Sequence, residues 1–257
     1  FAADGIDLRL GHEAVRFETE GDERVLVAEH DGREVRLPFD AVLVAVGRKA
    51  RLKGIGLEAL GIDCDKTVEA DDFLRTSVPN IYAAGDVAGP WQFTHTAAYQ
   101  AWYAAVNALF DPFWTLRISG RVIPAATFTE PEVARVGINE REAKERKIEV
   151  EVTRYALADL DRAIADGATE GFVKVLTPPG KDKILGVTIV GEDAGNLIAE
   201  YVLAMKHGLG LGKVLGTIHV YPTLAEANKN VAAEWRKAHA PQRLLDLSER
   251  FHAWRRG

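Results

Sequence analysis

"VPNIYAAGDVAG", residues 78–89, is the stretch that decides the fold. An apolar run, Ile81 to Ala84, leads into Gly85 and Asp86, and a further glycine, Gly89, follows. Then comes "THTAAYQAWYAAVNALF" (94–110), which reads as a helix with Thr94 or Thr96 as its cap. Strand, Gly-Asp turn and helix together have the geometry of a nucleotide site at the carboxyl end of a sheet strand. Asp86 can hydrogen-bond a ribose or ribityl hydroxyl, and Gly85 lets the backbone approach a ligand closely. The helix start offers unpaired N–H groups and a positive dipole end, suited to an anionic ring or a phosphate. The spacing alone is met equally well by an aspartate that caps a turn.

Toward the N-terminus, residues 6–46 read as a β-meander of short runs: "IDLRL", "AVRFET", "RVLVAEH" and "EVRLPFDAVLVAVG". Gly11, "EGD" (20–22) and the hairpin signal "DG" (31–32) punctuate them. "DAVLVAVGR" is a continuous apolar run ended by Gly and a charge, the pattern of a fully buried strand. Residues 51–75 are rich in turns.

Toward the C-terminus, "RISGRVIP" (117–124) marks a domain boundary at Gly120 and Pro124. An α+β domain is expected beyond it. "AATFTEPEVARVG" gives a strand and a turn, and "NEREAKERK" (139–147) a charged helix with Asn139 as N-cap. "EVEVTRYAL", "GFVKVLTP" and "KILGVTIVG" give three strands, and "AGNLIAEYVLAMKHG" (194–208) a helix stopped by Gly208. "GLGLGKVLG" (208–216) follows a helix instead of opening one, so it reads as a helix stop and a loop, not a phosphate loop. The tail carries Leu244, Leu247, Phe251 and Trp254 at helical spacing. That pattern favours a helix packed on its own subunit or a partner over one lying on a membrane.

The bulk numbers narrow the function. The 257 residues suffice for one large or two modest domains, and 47% hydrophobic with 27% charged residues is ordinary for a globular chain. A net charge of -6 argues against a general nucleic-acid binder. No signal peptide is read, and the longest apolar run, 41–47, is far short of a membrane span. A cytoplasmic location is expected. Cys64 is the one cysteine, set between Asp63 and Asp65, which disfavour its thiolate. A disulfide framework, a structural zinc site and an internal dithiol mechanism are therefore not expected, and no metal site is. The first residues, "FAADGIDLRLG", lack an initiator Met and read as a helix end followed by a strand, as in a piece of a longer protein.

A last constellation lies at "TIHVYPTLAEANKNVAAEW" (217–235). His219, Tyr221 and Glu226 flank a Pro-Thr turn before an amphipathic helix. They could form a general acid/base group, although a His or Tyr beside a turn is more often structural. In a strand, His219 would point the same way as Tyr221.

Taken in order, "VLVAVGR", "SVPNIYAAGDVAG", "FTEPEVARVG", "GFVKV", "ILGVTIVG" and "YPTLAEA" resemble the flavoprotein pyridine nucleotide–disulfide oxidoreductases, over about residues 1–232. Each motif is weak alone, but six in sequence are specific. The resemblance implies an α/β and α+β architecture: the C-terminal part of the FAD/NAD(P)-binding domains followed by an α+β dimerisation domain. Residues 1–48 resemble the end of the NAD(P)H-binding domain, 49–119 the returning segment of the FAD-binding domain and 120–232 the dimerisation domain, with 233–257 a C-terminal helical extension. It implies FAD and NAD(P)H as cofactors and a homodimer as the working unit. Asp86, with Gly85, matches the family aspartate that holds the flavin's ribityl chain. Gln92, Phe93, Thr94 and His95 fall against the flavin ring. The family's His-Pro-Thr-x-x-Glu segment, which reaches the partner's active site, is represented by Tyr221, Pro222, Thr223 and Glu226. Tyrosine replaces the basic His there, and its pKa of about 10 makes it a proton donor more than a base at neutral pH. That departure resembles mercuric reductase and the soluble transhydrogenases, and it argues against lipoamide or glutathione as acceptor. His219 is left as a helper or a bystander. Two alternatives stay open: a transhydrogenase-like or other non-disulfide flavin reductase, and a chain that serves in isolation only as a non-catalytic dimerisation module.

Overall fold

The computed structural model describes residues 1–62 and 64–257. Asp63, one of the two aspartates flanking Cys64, lies outside the described residues. The chain divides into two compact units, Phe1–Lys49 and Ala50–Gly257.

The first unit is an antiparallel sheet of β1 (Glu13–Glu20), β2 (Glu23–His30) and β3 (Arg33–Phe39), with β2 in the middle. The register sets Val27 between Arg16 and Arg36, and Val25 between Glu18 and Pro38. Arg16 bonds Glu18 and Glu34 at 2.6 Å each, and Arg36 reaches Glu18 at 2.6 Å. These long side chains are knit together over the two valines, which are buried. Two expected strands are absent. "IDLRL" is irregular, with Leu8 and Leu10 exposed, and 41–47 pairs with no strand among the described residues. Leu43 is 91% exposed. The physical reason is that a continuous apolar run suits a strand covered on both faces, and the three-stranded sheet of this unit brings no layers to cover it.

In the second unit, residues 50–90 are mostly turns around a small core of Leu52, Ile62, Val68 and Ala83. Ile81–Ala84 forms a single bridge, Tyr82 with Arg75, instead of a strand in a sheet. Helix α1 (Thr94–Phe110) follows. Its apolar residues Trp102 and Leu109 are exposed, while Thr96, Gln100 and Asn107 are buried. Asn107 explains part of this inversion. Its amide donates to Phe73 O and Leu116 O at 2.8 and 2.9 Å and accepts from Leu116 N at 2.6 Å, pinning two loops to the helix.

The rest is built on an antiparallel sheet, β4 (Ala125–Thr127), β5 (Glu132–Gly137), β8 (Gly186–Gly191), β7 (Phe172–Thr177) and β6 (Glu151–Ala156), in that spatial order. Cross-strand partners form two buried rows, Ala134–Ile189–Val173 and Val136–Val187–Val175. Each buried Val or Ile contributes about 1.5–3 kcal/mol. Helices α4 (Ala194–Lys206) and α6 (Glu226–Ala238) pack on this sheet, with the five-residue α5 (Leu211–Leu215) against α6. Helix α5 occupies part of the stretch read as loop. Helix α2 (Glu140–Glu145) has the expected cap: Asn139 and Glu142 form a reciprocal capping box. Helix α3 (Asp161–Asp166) sits between β6 and β7 in the chain, and α7 (Gln242–Arg256) ends it with no buried residue. Among the described residues, no helix is long and apolar enough to cross a membrane.

Candidate functional site

The turn at Gly85 is a short 3-10 segment, Gly85–Val87. Gly85 has φ +76°, and a Cβ there would lie 3.1 Å from Ala97 Cβ. The positive φ favours glycine, and the close approach to Ala97 adds to that preference. Its N–H donates to the buried Gln100 Oε1 at 2.7 Å, which ties the turn to the inner face of α1. Asp86 is half-buried in this turn. Gln92 and Phe93 are half-buried; Thr94 and His95 are exposed. His95 Nε2 lies 2.9 Å from Pro124 O, and its ring stacks on Phe93 at 5.2 Å. The expected threonine cap is not formed. Phe93 is the N-cap residue and supplies no side-chain bond, while Thr96 is turned inward with its Oγ1 unpartnered. For Thr96, burial competes with capping and wins.

The segment 217–225 is irregular, not a strand, so His219 and Tyr221 do not share a direction. His219 faces α4: its Nε2 is 3.0 Å from Glu200 Oε1, and its Nδ1 is 3.0 Å from Thr217 O. Asn228 Nδ2 donates to the same Glu200 carboxylate at 2.9 Å. Both ring nitrogens of His219 thus face acceptors within its own fold. Tyr221 turns the other way, is 66% exposed, and donates its phenol O–H to Asp161 Oδ2 at 3.0 Å. That bond, then the Asp161 charge, partial burial and the Glu226 charge raise the phenol pKa above its usual value. Glu226 is buried in the first turn of α6 and accepts from Lys229 Nζ at 3.0 Å. The structure therefore brings no hydrogen bond between Tyr221, His219 and Glu226 among the described residues.

Three partners were not read from sequence: Gln100, Asp161 and Glu200. Gln100 had a signal, since Thr96, Gln100 and Asn107 recur on one helical face. Asp161 and Glu200 lie 60 and 19 residues from their partners, with no local pattern to connect them.

With the geometry in hand, comparison with known proteins is specific. The family profile for the pyridine nucleotide-disulphide oxidoreductases matches residues 1–101, and the profile for their dimerisation domain matches residues 123–232. The chain belongs to the pyridine nucleotide-disulphide oxidoreductases. It is 36% identical over 228 residues to the dihydrolipoyl dehydrogenase of Chlamydia muridarum, covering 88% of this chain and 48% of the relative. It is 35% identical to the mercuric reductase of Bacillus cereus, covering 88% of this chain and 36% of that enzyme. Among solved structures, LpdA from Mycobacterium tuberculosis matches with TM-score 0.80 and 27% identity over 91% of this chain and 50% of that one. A Cu(II) complex of the flavoprotein disulfide reductase RclA from Escherichia coli shares the fold, with TM-score 0.81, over 90% of this chain and 52% of that one, at 24% identity. The chain spans about half the length of the dihydrolipoyl dehydrogenase it matches, and less of the mercuric reductase.

Proposed function

We propose that this chain forms part of an FAD-dependent NAD(P)H oxidoreductase that works as a homodimer. Electrons pass from NAD(P)H through FAD to an acceptor held near Tyr221 and Glu226 of the opposite subunit. The observation that carries this reading is the match of both regions of the chain, in order, to one family of redox enzymes. The divisions 1–48, 49–119, 120–232 and 233–257 are proposed as its domain limits.

The residues at Gly85 fit a flavin nucleotide. The glycine, at positive φ, brings the turn close to α1, and Asp86 follows directly. The first turn of α1, without a side-chain cap, supports the roles proposed for Gln92, Phe93, Thr94 and His95 at the ring. FAD, when bound, supplies the two-electron relay between nicotinamide and acceptor. The exposed helix-start N–H groups favour negative charge beside them. Among the described residues, the apolar run 41–47 of the segment proposed for NAD(P)H pairs with no strand.

Tyr221 is proposed as the proton donor to the acceptor. Its phenol is exposed and carries its proton at neutral pH, and the bond to Asp161 raises its pKa further. Glu226 is proposed to anchor the segment at the start of α6. His219, taken up by Glu200 and Thr217, is proposed to brace the loop. Tyrosine in this position supports a mercuric reductase-like or transhydrogenase-like acceptor over a lipoamide-like one. In the full-length enzyme, Tyr221→Phe is expected to lower steady-state turnover with acceptor by about 10²-fold or more. Stopped-flow reduction of the flavin by NAD(P)H stays at the wild-type rate. Unchanged turnover would make Tyr221 structural.

A further inference from the structure

We infer that the cleft between α1, residues 117–124 and the last turn of α4 binds a small organic anion carrying a planar ring. The cleft encloses about 510 Å3, within the usual range for small-ligand sites. Of the residues proposed above for flavin or acceptor only His95 lines it, and the charges and rings that would hold the anion lie elsewhere in its wall. Its composition is one-sided. Arg117, Arg121 and Lys206 line it, and no Asp or Glu does. Arg117 is spoken for by Asp72, at 2.8 Å. Arg121 and Lys206 form no ion pair among the described residues, which leaves two cationic side chains over the opening. An anion there gains charge-assisted bonds that the protein itself does not supply.

The rest of the wall specifies a ring. Tyr99 and Tyr103 lie 4.2 Å apart, centroid to centroid, and Lys206 Nζ sits 5.4 Å from the Tyr99 ring. Met205 and Val122 add apolar surface beside them. Burial, then the hydrogen bond with Tyr103, pushes the Tyr99 phenol up to about 12, so the wall adds no negative charge at neutral pH. Thr96 completes the set. It lines the cleft, is only 5% exposed, and its Oγ1 has no hydrogen-bond partner. A buried hydroxyl left unmatched costs about 1–3 kcal/mol, so a ligand oxygen reaching it would be favoured.

The test is calorimetric titration of phenyl phosphate into the 257-residue chain. One saturable site is expected, weakened about tenfold or more in Arg121→Gln and in Lys206→Gln. Inorganic phosphate should bind at least about tenfold more weakly than phenyl phosphate, since it lacks the ring. Lys213→Gln, on α5 and outside the cleft, should leave the affinity unchanged. Because Arg121, Lys206 and Lys213 are exposed, these variants keep the core intact. Absence of saturable heat, wild-type affinity in both cleft variants, equal affinity for inorganic phosphate, or an equal loss in Lys213→Gln would each overturn the inference.

Discussion

At the scale of single residues, the decisive contact is Tyr221 to Asp161. The hydrogen bond is made by the protonated phenol, so it opposes ionisation. Removing the carboxylate charge makes ionisation easier, and the midpoint must move down. Asp161→Asn is therefore expected to shift the Tyr221 titration toward its ordinary value of about 10. Carbon-13 NMR of labelled tyrosine, with Tyr221→Phe to assign the resonance, measures this directly. A titration that does not move would show that Asp161 does not govern the phenol. This pairing was invisible in sequence. Tyr221 and Glu226 could be singled out because they share a short motif, but Asp161 enters only through the fold. His219 failed for a related reason: a period-of-two argument holds only in a strand, and residues 217–225 are irregular.

At the scale of elements, legibility followed local chemistry. Asn139 was readable as a cap because the Asn-x-x-Glu signal is complete within four residues, and the capping box forms. The strands β6, β7 and β8 were readable because alternation and turns agree. The run 41–47 was misread because a buried parallel strand depends on neighbours elsewhere, which no local pattern guarantees. The buried face of α1 was not legible, because polar side chains normally mark the outside, whereas Gln100 and Asn107 spend their amides on the backbone of loops. Two substitutions separate local from tertiary effects. Asn139→Ala removes one cap and should cost about 1 kcal/mol. Gly186→Ala would set a Cβ 1.8 Å from Ile138 O at the start of β8, the central strand, and should cost about 3 kcal/mol or more. Urea denaturation followed by circular dichroism should rank them in that order. Equal midpoints would mean that the β5–β8 packing is looser than drawn.

At the scale of the whole molecule, the outstanding feature is apolar surface without cover. Ile218 is 97% exposed and Val220 75%, on either side of His219 and next to Tyr221. Phe128 and Leu203, in the same unit, are exposed as well. Apolar side chains gathered on one functional segment mark an interaction surface, and the dimerisation-domain match covers all four positions. The chain is therefore expected to sediment as a dimer, and Ile218→Asp with Val220→Asp to shift it toward monomer without loss of secondary structure. Flavin should behave differently. Gly85 and Asp86 supply one side of a cradle, yet Ile81–Ala84 makes a single bridge instead of a strand in a sheet. A dinucleotide held at one side keeps few of its contacts, so the purified chain should retain well below one FAD per protomer by visible absorbance. A monomer by sedimentation would remove the dimer assignment, whereas stoichiometric flavin in a dimer would show that the Gly85 turn and α1 hold the cofactor unaided.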